Sequence, residues 1–551
     1  AVAVIQPGGD PAAFATAFVG AYEGDGKAAL DLLSKIRARR IKAGGRVLKH
    51  QFGGEQGRSG WRIDMPAAGG MPAFSAFYYF AGGLLVMVDH QKEAEAMYHR
   101  IEAGGGDSLS SVKAFSECTS HVQKAYGDAP VHLRWFLEPF GYFRVGRAEQ
   151  KADTSKPRRR GRFMPDVYAD EGFDAIQGVG GFVSFAQGKQ EILHRSFVYA
   201  PAVVRKAKDA VTVERLKVEK LASPAAVDYA GAANDKYFLG ARMLNFANEG
   251  KLTPWPWLTD DLSTHLVFHW TTQRAFKYSE TLVNALSDDR KQEVWVGTLD
   301  SIRDDVDGPR VDIRKNIVKH LGTKVTRVTD YAHPIDPQSE RQAMIIPIIG
   351  DEATVKKAVD QMMKDDPDAI AHQAGEHTIW EINTEQSRRD DKERIDEDER
   401  LGQDSATVVA NGFLIRGSHV DLLARLIAPP KKDDALAGAG DLKKVNDELD
   451  KLSDGKESFR YFDRLDRSLE QHWELLRTNR FPQSESTLAN IVAQMQGYDP
   501  DDPATRERKQ DIAGDSLPEF AFAAAFFGPT GVVVKSEADG WLISGAVLTK
   551  E

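Results

Sequence analysis

Apolar positions along this chain switch between a period of two and a period near 3.6, and the switches mark out its elements. The run Phe74-Ser75-Ala76-Phe77-Tyr78-Tyr79-Phe80 is apolar and aromatic and reads as a β-strand. Ala81-Gly82-Gly83 supplies a tight turn, and Leu84 to Val88 runs back as a second strand. Asp89 then stands where a helix N-cap is needed, and Ala94, Met97, Tyr98 and Ile101 follow at helical spacing. The same unit returns far downstream. Ser405 to Val409 leads through Ala410-Asn411-Gly412 into Phe413-Leu414-Ile415, Ser418 is the cap, and Leu423, Leu426 and Ile427 form the helical stripe. A histidine follows each cap, His90 and His419.

The flanking segments extend the likeness. Ala1 to Ile5 reads as a strand, Asp10-Pro11 as the cap of a helix carrying Phe14, Phe18 and Tyr22, and Trp61 to Met65 as a strand. A helix from Lys27 to about Arg39 carries Leu30, Leu32, Leu33 and Ile36. In the second half, Met344 to Ile349 is a strand, Asp351 a cap, Val355, Ala358, Val359, Met362 and Met363 a helical stripe, and Trp380-Glu381-Ile382 answers Trp61-Arg62-Ile63. The shared order predicts an α+β fold of two related strand-helix-strand-hairpin-helix modules, an internal duplication. The expected domains are residues 1–150, the first repeat, 151–335, a middle α+β region, and 336–551, the second repeat.

A helix from Ser111 to Tyr126 and a strand around Val131 to Leu137 close the first half. The middle region holds a hairpin, Gly178 to Phe185 and Ile192 to Tyr199 around Gln187-Gly188-Lys189, and a helix from Gln273 to Leu286. Residues 387–404 are almost wholly charged and read as a solvated insertion; Pro429 to Asp434 reads as a linker and Asp499 to Pro503 as a break. Helices are expected at about 440–453, 459–478 and 485–496. Gly531 to Ser536 turning at Asp539-Gly540 into Trp541 to Leu548 predicts a terminal hairpin.

A length of 551 residues argues for several cores. The net charge of −10 argues against a general polyanion binder, so nucleic acid is not an expected partner. The one basic patch, Pro157 to Arg162, reads as a solvated loop. No run approaches the ~18 apolar residues of a membrane span. The lone cysteine, Cys118, sits at helical spacing from Phe115 and Val122, which predicts a buried, inert thiol. A chain opening at Ala1 leads us to expect a removed leader or a missing upstream part.

Motifs for chemistry fail on inspection. Gly24-Asp25-Gly26-Lys27-Ala28 has Ala where a phosphate loop needs Ser or Thr, and Gly178-Val179-Gly180-Gly181 leads into a strand rather than a helix. Asp304-Asp305-Val306-Asp307-Gly308 suggests a calcium loop, but that alignment puts Arg303 and Arg314 at ligand positions, leaving only an irregular calcium site open. His265 and His269 share one side of a strand but would stand ~13 Å apart at about 3.3 Å per residue, too far for one zinc. His372 and His377 lack the spacing of a zinc protease, and no Gly-x-Ser-x-Gly elbow occurs. No catalytic residue, cofactor or metal is therefore expected. Trp255 and Trp257, on a proline-stiffened loop, are the candidate interaction residues: they could stack on a sugar or a partner, or plug a join between domains.

Several segments resemble a known group. Leu299 to Ile302, Asp307 to Arg314, Leu321-Gly322, Asp330-Tyr331, Pro334-Ile335 and Ser339-Glu340-Arg341 are similar to a run in large uncharacterised exported or membrane-anchored proteins of planctomycete-type bacteria. Phe197 to Pro201, Ser108-Leu109 with Phe115, and the terminal hairpin from Gly528 resemble the same family. The resemblance implies export, periplasmic or to the cell surface, and no established activity. The expected function is thus a non-enzymatic, self-associating component of a cell envelope, surface layer or filament, with itself or other envelope proteins as partners. The alternatives are an extracytoplasmic ligand- or glycan-binding protein using Trp255 and Trp257, and a hydrolase whose acids are distant in sequence.

Overall fold

The computed structural model describes residues 1–6, 13–22, 26–54, 57–67, 73–104, 108–152, 164–202, 236–287, 294–382, 405–428, 434–495, 498, 508–510 and 512–550. The chain divides into two compact units, Ala1–Glu117 with Phe136–Gly161, and Cys118–Trp135 with Arg162–Glu551. The fold is mixed α+β, with antiparallel sheets of six and thirteen strands.

The first unit runs β1 (Val2–Ile5), β2 (Ala15–Ala21), α1 (Lys27–Lys42), β3 (Arg46–Phe52), β4 (Arg58–Met65), β5 (Phe74–Ala81), β6 (Leu84–Val88) and α2 (Gln91–Ala103). Helix α3 (Lys113–Tyr126) and strand β7 (Leu133–Leu137) come next in the chain, the greater part of each counted with the second unit, and helix α4 (Pro139–Ala152) belongs to the first. The six-stranded sheet has the order β1-β2-β6-β5-β4-β3. Alternation along β5 and β6 sends Phe77, Tyr79, Ala81, Val86 and Val88 to one face, where Ala94 and Tyr98 of α2 close over them. The opposite alternates, Ala76, Tyr78 and Leu85, meet Leu33 of α1 on the other face. Tyr79 is wholly buried, and its hydroxyl donates to the Ala94 carbonyl at 3.1 Å, which satisfies the one polar atom the packing would otherwise strand.

The second unit continues with α5 (Met164–Asp170), β8 (Gly178–Gln187), β9 (Gln190–Tyr199), β10 (Thr264–His269), α6 (Thr272–Leu286), α7 (Val294–Asp304) and α8 (Ile313–Asn316). Next come β11 (Lys324–Tyr331), β12 (Glu340–Pro347), α9 (Glu352–Asp365), β13 (Ala369–Ala374), β14 (His377–Ile382), β15 (Ser405–Ala410), β16 (Phe413–Gly417) and α10 (Val420–Ile427). The chain ends through α11 (Gly440–Leu452), β17 (Phe459–Arg464), α12 (Leu465–Ser468), α13 (Glu470–Arg477), α14 (Thr487–Met495), α15 (Phe520–Ala524), β18 (Pro529–Glu537) and β19 (Gly540–Leu548). The sheet order is β13-β14-β15-β16-β12-β11-β10-β17-β18-β19-β9-β8-β7. Its main core lies where α10 and α11 cover β11, β12, β15, β16 and β17.

One stretch of the second sheet repeats the first in order and register. The sequence β12-α9-β13-β14-β15-β16-α10 matches β2-α1-β3-β4-β5-β6-α2, and the strand order β11-β12-β16-β15-β14-β13 matches β1-β2-β6-β5-β4-β3. Ala81 pairs with Leu84 as Ala410 pairs with Phe413, and both hairpins turn on left-handed residue pairs, Gly82-Gly83 and Asn411-Gly412. Trp61 stands opposite Tyr78 as Trp380 stands opposite Thr407, and Ala17 opposite Val88 as Ala343 opposite Gly417.

Several expectations need correction. Phe14, Phe18 and Tyr22 do not share a helix face: Ala15–Ala21 is strand β2, with Ala15 and Ala17 fully buried and Thr16 and Phe18 outward. An apolar run of small and aromatic residues fits both periods, and sheet pairing on both sides decided between them. The predicted helix over 459–478 begins as strand β17, because Phe459–Arg464 slots between β10 and β18. Strand β3 escaped the pattern altogether. Asp89 and Ser418 are not the caps; His90 and His419 are. Asp89 instead accepts from the Thr16 amide at 2.6 Å, and Ser418 Oγ accepts from the Gln342 amide at 3.0 Å, tethering β2 and β12 at equivalent positions. The terminal hairpin lies inside the sheet, paired to β17 and β9, and offers no free edge. Asp10-Pro11, Pro157 to Arg162 and residues 387–404 lie outside the described residues.

Candidate functional site

A polar cluster of the second unit forms on one face of β11, β12 and β17. Alternation brings Arg327 and Tyr331, Glu340 and Gln342, and Tyr461 and Asp463 to that face. Side chains of α13 and of the α14 N-terminus reach it from above. Arg327 Nη2 donates to Gln342 Oε1 at 2.5 Å and to Thr487 Oγ1 at 3.1 Å, and Thr487 donates from both N and Oγ1 to Glu340 Oε1 at 3.2 Å.

Within this layer, Ser486 Oγ lies 3.1 Å from His472 Nε2, while His472 Nδ1 lies 3.2 Å from the Ser468 carbonyl. A carbonyl only accepts, so Nδ1 carries the proton and Nε2 accepts from the Ser486 hydroxyl. That is the pairing of a nucleophile with its base. Three further observations define its role here. Glu340 Oε2 is 3.9 Å from Nε2, the nitrogen already facing serine, rather than beside Nδ1 where an orienting acid belongs. Ser486 is 2% exposed. Its Oγ also accepts from the Ala489 amide at 3.2 Å and from Ser484 Oγ at 3.0 Å, the bonds of a helix cap. Burial holds the His472 imidazole below its ordinary range, and raises the Asp463 carboxyl and the Tyr331 and Tyr461 phenols. Tyr461 donates to Asp463 Oδ2 at 2.9 Å. Through the bonds from Thr487 to Glu340 and from Ser486 to His472, the cluster ties helices to sheet. The residues are scattered over 160 positions of sequence, from Arg327 to Thr487, and no spacing signalled them.

The candidate interaction residues are consumed by packing. Trp255 and Trp257 are half-buried, both edge-on to Phe413 at 5.0 and 5.1 Å, beside the main core. Trp255 Nε1 donates to Thr326 Oγ1 at 3.0 Å, and Lys324 Nζ lies 3.9 Å from its ring centre. The loop that carries them thus presses its indoles into the sheet face.

The remaining candidates stay apart. Asp304, Asp305 and Asp307 are exposed; Asp304 pairs with Arg303 and Asp305 Oδ1 accepts from the Asp307 amide at 3.1 Å. His265 and His269 are both buried on β10, and burial pushes the His265 imidazole down to about 3. His372 Nε2 meets Glu381 Oε2 at 2.7 Å across β13 and β14. Cys118 is 1% exposed and bonds the Phe197 carbonyl at 3.3 Å, a structural thiol. At the turn between β18 and β19, His121 stacks on Phe197 at 3.9 Å, with Glu537 3.0 Å from Nδ1 and Asp539 3.1 Å from Nε2. Sequence reasoning had no sign of that clamp, since His121 and Asp539 sit at opposite ends of the chain.

Fold and site together define a mixed α+β protein with two antiparallel sheets and a buried polar cluster where helices meet the larger one. Among the described residues no helix is long and apolar enough to cross a membrane. Compared with known protein families, with curated proteins and with solved structures, the chain matches none.

Proposed function

We propose that this is a non-enzymatic exported protein that acts by self-association, as a component of a cell envelope, surface layer or filament, and that it arose by duplication of one α+β module. The common strand order, the common register and the equivalent tethers from Asp89 and Ser418 support the duplication. Export is supported by the family resemblance and by the single, buried cysteine.

Self-association rests on the unequal surroundings of one strand. In the second module β11 is paired by β12 on one side and β10 on the other. Its counterpart β1 is paired, among the described residues, by β2 alone, and Val2 and Val4 are 70% and 54% exposed. An apolar strand at a bare sheet edge is a template for another chain. Native mass measurement and negative-stain imaging across a concentration series test the reading. The expected result is assemblies in multiples of 60.9 kDa. A strict monomer at high concentration overturns it.

A further inference from the structure

We infer that the edge of β1 is where two copies of this chain meet, pairing antiparallel about a two-fold axis at Ala3; this rests on the self-association proposed above and names its surface. Strand β1 pairs with β2 as Val2 with Phe18, Ala3 with Ala17, Val4 with Thr16 and Ile5 with Ala15. The Val19 amide donates to the Ala1 carbonyl at 2.8 Å. Antiparallel alternation then turns the backbone groups of Ala1, Ala3 and Ile5 toward β2 and those of Val2 and Val4 outward. Among the described residues no other backbone group bonds to those of Val2 or Val4.

The second module shows what such an edge accepts. By register, Val2 and Val4 correspond to Arg327 and Thr329, which face Leu266 and Thr264 of β10. Among the described residues no strand pairs with the edge of β1 that β10 covers there. Helix α4 approaches β1 yet leaves it exposed.

Charge and symmetry point to a second copy as the occupant. Val2–Ile5 and its neighbour Ala15–Ala21 carry no charged side chain, so two such edges meet without like-charge repulsion although each chain bears a net −10. The stretch Val2-Ala3-Val4 is symmetric about Ala3. Laid antiparallel on itself it sets Val2 against Val4 of the other copy in both directions, an isologous contact that closes on two chains. Raising ionic strength screens the repulsion between the acidic bodies and is expected to tighten the pairing.

Cysteine cross-linking of the full chain reads this geometry directly. The axis places Ala3 opposite its own copy at a non-hydrogen-bonded site, with Cα atoms about 4.5 Å apart, inside the reach of a disulfide. Cys118 is buried, so Ala3→Cys supplies the reactive thiol. Mild oxidation is expected to give a covalent dimer with Ala3→Cys and little with Val2→Cys, whose copies are offset by two residues along the strand, beyond about 7 Å between Cα atoms. Val4→Pro removes an outward N–H and leaves the β2 bonds intact, and should weaken association by about ten- to thirty-fold, two hydrogen bonds being lost per dimer. Val4→Lys, which leaves the strand backbone unchanged, should act in the same direction. If the chains associate but Ala3→Cys cross-links no faster than Val2→Cys and both Val4 variants associate normally, the β1 contact is wrong while self-association stands. If native mass shows only monomer at every concentration and nothing cross-links, both fail.

Discussion

His265 is expected to make this protein sensitive to mild acid. It is 2% exposed on the central strand β10, between Val328 and Phe462, and among the described residues its Nε2 has no partner. Burial, with a smaller push from the Lys324 charge, lowers its imidazole to about 3 from an ordinary value near 6.5. The sign follows from the proton count. In the unfolded chain the ring takes a proton as pH falls through 6.5, whereas the folded ring refuses it until about 3. The unfolded state therefore binds more protons in that window, and stability falls with pH by about 1.4 kcal/mol per unit. From pH 6.5 to 4.5 this one group removes about 2 kcal/mol, before most carboxylates titrate. His472, His194 and His269 are also lowered by burial and add to the slope in the same direction. Urea unfolding at several pH values, with hydrogen exchange of the β10 amides to identify the transition, measures the slope. His265→Leu, close in volume, should change stability at pH 7 by less than about 1.5 kcal/mol and remove one proton from the slope. An identical slope in variant and parent would refute the reasoning.

Three further outcomes are expected. Glu457 is wholly buried and holds Arg460 at 2.9 and 3.1 Å, so Glu457→Ala should cost about 3–5 kcal/mol in denaturant unfolding, with Glu457→Leu plus Arg460→Met recovering at least half. Trp255→Ala removes the contacts to Phe413, Thr326 and Lys324 and, for a half-buried indole, should cost about 1–3 kcal/mol; an unchanged thermal midpoint would mean that these contacts do not hold the indole. Ser486→Ala should cost about 1–2 kcal/mol as a lost cap, and a fluorophosphonate probe should label neither parent nor variant. Labelling of the parent at Ser486 would make the pair with His472 a reactive one.

Where sequence and fold agree, the reason is local. The hairpins at Gly82-Gly83 and Asn411-Gly412 were legible because a two-residue turn with both φ angles positive admits few residue types, and alternation on either side fixes the inward face. Asp351 was legible as a cap because a short acid can reach the amide of Ala353 at 3.2 Å. Asp89 was misread because its carboxylate had a choice between its own helix and the amide of Thr16, distant in sequence. Residues of the buried layer, Ser486, His472 and Glu340, carry no local pattern at all. Their meeting depends on which strands neighbour each other. For Trp255 and Trp257 the sequence left ligand stacking and packing both open for the same cause: a Pro-Trp-Pro-Trp loop has no period to reveal that Phe413 waits opposite.

The chain's own pattern determined many of its elements, its α+β class and the likeness between its two hairpin units, because turns, caps and alternation are interactions over a few residues. Tertiary structure alone decided whether Ala15–Ala21 is helix or strand, and which strands become edges. It also decided that the tryptophans are packed. Those outcomes depend on pairing partners brought from far along the chain, and the free energy that selects among them is burial gained only when the partners meet.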